Sequence, residues 1–106
     1  QHPEFAIARW SAQHLTPEDR SRATVYTSGE HCPMCAAAHG WAGLGRIVYA
    51  SSSGQLASWL NEWGVAPSRV RNLPIRDVIR DTPVEGPVPA LAEEVRELHR
   101  RLHAKG

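Results

Sequence analysis

The stretch Thr24-Val-Tyr-Thr-Ser-Gly-Glu-His-Cys-Pro-Met-Cys-Ala-Ala-Ala-His39 decides how the chain is read. It carries the only two cysteines, spaced as Cys32-Pro33-Met34-Cys35, directly after a run with strand character from Ala23 to Ser28. Gly29 permits a sharp exit from that strand. Proline is favoured at the first position of a helix, where its fixed φ helps and its missing N–H does no harm. Pro33 therefore predicts a helix over 33–43, with Cys32 as N-cap and Cys35 one turn in. Residues three apart share a helix face, so both sulfurs reach one point in front of the helix start. That geometry suits a metal ion.

The opening of the chain repeats the device. His2-Pro3-Glu4 runs into a helical pattern of Phe5, Ile7, Ala8, Ala12 and Leu15 among polar residues. This makes His2 an N-cap and Glu4 a first-turn acid. Two helices that each begin with a ligand and then a proline can aim their N-termini at one site. Their dipoles favour negative charge there, as thiolates require.

His-x-Glu followed by Pro-Cys-x-x-Cys resembles the signature of the zinc-dependent cytidine/deoxycytidylate deaminase superfamily. Here it stands as His2-Pro3-Glu4 and Cys32-Pro33-Met34-Cys35. The interval between them resembles that of the branch of tRNA adenosine deaminases and nucleobase deaminases. So do the flanks, Thr24–Thr27 before the cysteines and Gly45–Ala50 after them. Residues 2–50 carry the likeness and the remainder follows in outline. One departure is Glu30-His31-Cys32, where branch members read Glu-Pro-Cys.

The resemblance implies Zn2+ held by His2, Cys32 and Cys35, with Glu4 as catalytic proton shuttle. Zinc would activate water, Glu4 would pass one of its protons to the ring nitrogen, and a second proton would go through Glu4 to the departing amine. Glu30, His31 and Trp41 are candidate substrate contacts, although Glu30 also suits a loop anchor and Trp41 a packing position. The implied fold is a three-layer α/β/α sandwich, a mixed sheet covered by helices. The implied state is a homodimer. The family places a helix and a β-hairpin ahead of the histidine ligand, so residues 1–106 are expected to be one deaminase-like domain lacking that segment.

Bulk properties narrow the alternatives. With 106 residues, 42% hydrophobic content and four tryptophans, the chain supports one small core. A formal charge of +1 favours a small amino-heterocycle over nucleic acid as substrate. The second reading remains a tRNA adenosine, with Arg100, Arg101, His103 and Lys105 as phosphate contacts. No apolar run has the length of a membrane span. Two cysteines this close cannot staple a secreted fold, which points to reduced thiols and the cytoplasm. Blander readings are half a zinc ribbon, which lacks a second cysteine pair, a thioredoxin-type redox pair, and a deaminase-like scaffold that binds zinc without turnover.

Elsewhere, Thr16-Pro17-Glu18-Asp19 predicts a capped helical turn to Arg22, and Gly45–Ala50 a buried strand. A helix is expected from the Ser51–Ser53 caps to Trp63, stopped by Gly64. One of the segments 70–74 and 75–79 is expected to be a short strand, and 81–89 a loop. The C-terminal region, 87–106, predicts a helix whose apolar stripe is Leu91, Val95, Leu98 and Leu102.

Overall fold

The computed structural model describes residues 2–104, the side chains of 103 and 104 excepted. Five helices and three short strands follow in order: α1 (Pro3–His14), α2 (Pro17–Arg22), β1 (Val25–Gly29), α3 (Pro33–Ala42), β2 (Ile47–Ser51), α4 (Ser53–Glu62), β3 (Val84–Glu85) and α5 (Pro89–Ala104). The fold is mixed α/β. The strands form one sheet in the order β1-β2-β3, and both pairings are parallel. Val25 pairs with Ile47, and Ile47 with Val84. No antiparallel strand, as a mixed sheet requires, occurs among the described residues.

Caps set the helix starts, and the capping residues are those the sequence marks. Thr16 accepts the Asp19 N–H at the head of α2. Ser52 and Gln55 form a reciprocal capping box at the head of α4. Gly43, at φ 74°, ends α3 in the left-handed conformation that glycine adopts without strain.

Two small clusters form the core. Ala36 of α3 packs with Ile47 and Tyr49 of β2 and with Ile75; Ala8 of α1 packs with Val25 of β1 and Leu44. Helices α1 and α3 lie against each other, and α5 contacts β2 and β1. The small residues of α3 are explained in part by residue 79, since a side chain at Gly40 would meet the Ile79 methyl at 2.6 Å.

Arg20 ties the C-terminal ends of the helix pair. Its guanidinium donates to the carbonyls of Leu15 (2.5 Å) and Ser11 (3.4 Å) at the end of α1, and to Ala42 (2.7 Å) at the end of α3. Both N-termini consequently point the same way, which positions the site described below.

Two expectations about the strands are corrected. Neither 70–74 nor 75–79 is a strand; Ile75–Asp77 is a 3-10 turn. The third strand falls instead at Val84–Glu85, inside the segment expected to be loop, because Ile47 N–H donates to the Pro83 carbonyl and fixes the register there. The apolar stripe of α5 is largely exposed: Leu91 at 48%, Leu98 at 62% and Leu102 at 67%. Ala92, at 2%, is the buried residue among the described side chains of that helix. In the basic cluster, Arg100 and Arg101 form ion pairs with Glu97, while the His103 side chain and Lys105 lie outside the described residues.

Candidate metal centre

His2 is the N-cap of α1 and makes no capping hydrogen bond with its side chain, so the ring is available elsewhere. Its Nδ1 lies 3.7 Å from Cys32 Sγ and 3.5 Å from Cys35 Sγ. All three donor atoms fall within 4.8 Å of one another. The sequence separates His2 from the cysteines by the whole of α1, α2 and β1. Packing of α1 against α3 brings them together.

The spacing fits one cation. With Zn–S near 2.3 Å, Zn–N near 2.05 Å and tetrahedral angles, a nitrogen and a sulfur on the same ion sit about 3.6 Å apart. The two observed distances straddle that value. His2, Cys32 and Cys35 are the one such group of three His, Cys or carboxylate donors among the described residues. Structural zinc sites close all four corners with protein ligands, whereas catalytic ones keep one open.

Burial differs across the triad. His2 is exposed, Cys32 half-buried and Cys35 fully buried. Cys32 Sγ accepts the Cys35 N–H at 3.5 Å, the capping bond that holds the first turn of α3. Burial pushes the Cys35 thiol up to about 12, with the Cys32 sulfur and then the Glu4 charge adding to the rise. Without a cation this thiol is therefore protonated at neutral pH. Glu4, half-buried in the first turn of α1, is close enough for its charge to be felt at Cys35.

The other candidate residues are placed as follows. Glu30 anchors its loop: Oε1 accepts from the Ser53 N–H (2.8 Å) and hydroxyl (3.1 Å), and Oε2 from the Ile75 N–H (2.7 Å). Three segments thus meet on one carboxylate directly ahead of Cys32. His31 is 1% exposed and packs edge-on against His39, with ring centroids 5.4 Å apart. Burial, then the neighbouring His39, lowers its pKa to about 4. His39 itself is held by the Gly45 carbonyl at 2.7 Å. Trp41, 92% exposed, is not packed in the core; it lines a groove of about 760 Å³ between α3 and residues 78–83, and no ligand of the triad lines that groove.

A second, small cavity of about 90 Å³ does adjoin the triad. Cys32 and Glu30 line it together with Ser52, Leu56, Asn72 and His99. Nothing in the sequence marks Asn72 or His99 for this position. They come from an irregular segment and from α5, and only the tertiary fold brings them to Cys32.

No known protein-family description matches the chain, and no curated protein matches it. Among the described residues, no helix is long and apolar enough to cross a membrane.

Proposed function

We propose that the chain is a zinc-dependent hydrolytic deaminase, which converts the exocyclic amine of a nucleobase, nucleoside or related heterocycle to a carbonyl with release of ammonia. The observation that carries this reading is the nitrogen–sulfur spacing of 3.5 and 3.7 Å in a three-donor group with an acid alongside. The proposal includes the finer fold assignment, a cytidine deaminase-like α/β/α sandwich, and the homodimer that goes with it.

When bound, zinc supplies the polarisation that lets water lose a proton near neutral pH. The chain's own residues do the rest. His2, Cys32 and Cys35 would hold the ion in front of the two helix starts. The positive ends of α1 and α3 favour the thiolate form of both cysteines once the cation is present. Glu4, one residue inside α1 and not a ligand, accepts the water proton and delivers it to the ring nitrogen next to the reacting carbon. It then carries a second proton to the departing amine, so that water and amine become carbonyl and ammonia in balance. Glu30 serves this by positioning: its three hydrogen bonds fix the loop from which Cys32 projects.

The test is ammonia release from the zinc-loaded chain across a panel of free bases, nucleosides and amino-triazines. Turnover that needs both zinc and Glu4 supports the reading. Stoichiometric zinc with no ammonia from any member of the panel, and no change on Glu4→Gln, would replace it with a non-catalytic zinc module.

A further inference from the structure

Helix α5 leaves most of its apolar stripe in solvent, with Leu91, Leu98 and Leu102 exposed and Val95 half-buried. The helix rests on β2 and β1, and its buried residue is Ala92. Ala92 lies about 100° round the helix from Leu91, so the stripe runs along the flank of that contact and is not covered by it. Leu91, Val95, Leu98 and Leu102 follow at intervals of four, three and four residues. That is the a/d repeat by which two helices interlock, and an exposed seam of this kind is matched by a second helix with the same repeat.

The charges beside the seam indicate which helix, and in which direction it runs. On the flank away from Ala92 stand Glu94 and Arg101, one heptad apart. Glu94 is exposed and has no ion pair among the described residues. Arg101 donates to Glu97 at 3.3 Å, but Arg100 already holds both oxygens of that carboxylate, at 2.8 and 2.6 Å. Arg101 can therefore turn away without leaving Glu97 unpaired.

A second copy of α5, running antiparallel, satisfies both residues. Setting Leu91 level with the partner's Leu102 also sets Val95 level with the partner's Leu98. At about 1.5 Å per residue, Glu94 then stands within about 3 Å, along the axis, of the partner's Arg101. A twofold axis makes every such contact twice. A parallel pair would instead set Glu94 against the partner's His99 and give Arg101 no acid.

We propose that α5 is a self-association helix. Two copies of the chain pair antiparallel through Leu91, Val95, Leu98 and Leu102, with Glu94 of each bonded to the partner's Arg101. The functional reading includes a homodimer without locating it; the α5 seam rests on none of the deaminase chemistry. The experiment is analytical ultracentrifugation of the zinc-loaded full chain over a range of concentrations. It compares wild type with L98E/L102E, E94R and the charge exchange E94R/R101E, with helix content and zinc content followed in each.

The wild type should dimerise reversibly. L98E/L102E should weaken the dimer by roughly a hundredfold or more, since four buried leucines become four buried charges across the pair. E94R should weaken it by about tenfold, because two exposed attractions become repulsions, and E94R/R101E should return it to within about threefold of wild type. Helix and zinc content should not change; if L98E/L102E loses its helix, the two charge variants decide. A wild type that stays monomeric overturns the proposal, and if that monomer binds anionic vesicles the stripe is a membrane-surface face instead. A dimer that L98E/L102E leaves intact also overturns it and puts the homodimer of the functional reading on another surface. A dimer weakened by E94R but not restored by the charge exchange overturns the antiparallel pairing. Ammonia release, or its absence, in any of these proteins bears on the deaminase reading alone.

Discussion

The two ends of the α1–α3 pair are built on opposite principles. At the C-terminal end, one guanidinium takes the carbonyls of Ser11, Leu15 and Ala42, so both helix ends are satisfied from within the chain. At the N-terminal end, His2 makes no cap with its side chain, and Cys32 offers only a long N–H···S bond of 3.5 Å. Helix dipoles make the first end negative and the second positive. A resident cation, Arg20, answers the negative end. The positive end carries two sulfurs, of which Cys35, its thiol pushed up by burial, becomes an anion only when a metal ion replaces its proton. One end is fixed by the chain alone, and the other presents three donors that could hold a metal ion.

This contrast is broken most severely at Cys35. Cys35→Ala should remove metal binding by a factor of 10³ or more, since one of three protein ligands is lost from a site whose binding energy is about 10 kcal/mol or greater in comparable thiolate centres. Zinc stoichiometry by native mass spectrometry checks it. In the wild type, the thiol near 12 must give up its proton on binding. Zinc affinity should therefore rise about tenfold per pH unit from this group, and fall correspondingly on acidification. A pH-independent affinity would mean that Cys35 is not a ligand.

Glu4 tests the chemistry apart from the assembly. Glu4→Gln should keep zinc at wild-type stoichiometry and lower kcat by about 10²–10⁴, the usual contribution of a positioned proton-transfer group. Wild-type turnover in that variant would remove the shuttle role and leave the ligand triad standing.

The two ends were not equally legible in the sequence. The N-terminal end declares itself, because a His or Cys followed by proline marks the helix start at both α1 and α3. Caps likewise give α2 and α4 nearly to the residue. The Arg20 clamp carries no local signal: its acceptors are backbone carbonyls, which every residue possesses. β3 was hidden for a related reason. Two residues of pairing, Val84 and Glu85, are too few to show a period, and the prolines around them read as loop. The leucines of α5 show the limit of periodicity, which finds a helix but not the face that is covered. His31 is a further case, since a residue between an acid and a ligand gives no sign that its ring turns inward.

Arg20 supplies the next test of the contrast. Arg20→Met keeps much of the aliphatic stem and removes all three bonds to carbonyls. The expected cost is about 2 kcal/mol, or a fall of roughly 10 °C in Tm for a chain of this size. Zinc affinity should change far less than stability, provided the N-terminal end is held by its own ligands. Loss of zinc in proportion to loss of stability would show that the two ends form a single cooperative unit. Chemical denaturation and zinc competition on the same preparation distinguish these outcomes.

The smallest effect is expected at His31, which lies just behind the metal end but takes no part in its ligation. Both ring nitrogens are buried without a hydrogen-bond partner among the described residues, and a buried polar group left unpaired costs about 1–3 kcal/mol. Leucine fills a similar volume and removes that cost, while giving up an edge-on ring contact worth about 0.5–1.5 kcal/mol. His31→Leu should therefore stabilise the chain by about 1 kcal/mol at pH 7.5. Below about pH 6.5 the unfolded chain binds a proton at this residue that the folded chain refuses until about pH 4. The wild type accordingly loses stability as pH falls through that window. The variant should show a shallower slope, the remainder coming from His39, whose pKa burial also lowers. Denaturant midpoints on metal-free protein at pH 7.5 and 5 measure both effects without interference from ligand protonation. A variant less stable than wild type at pH 7.5, with an unchanged slope, would mean that the imidazole is hydrogen-bonded in solution and contributes to holding the loop of Cys32.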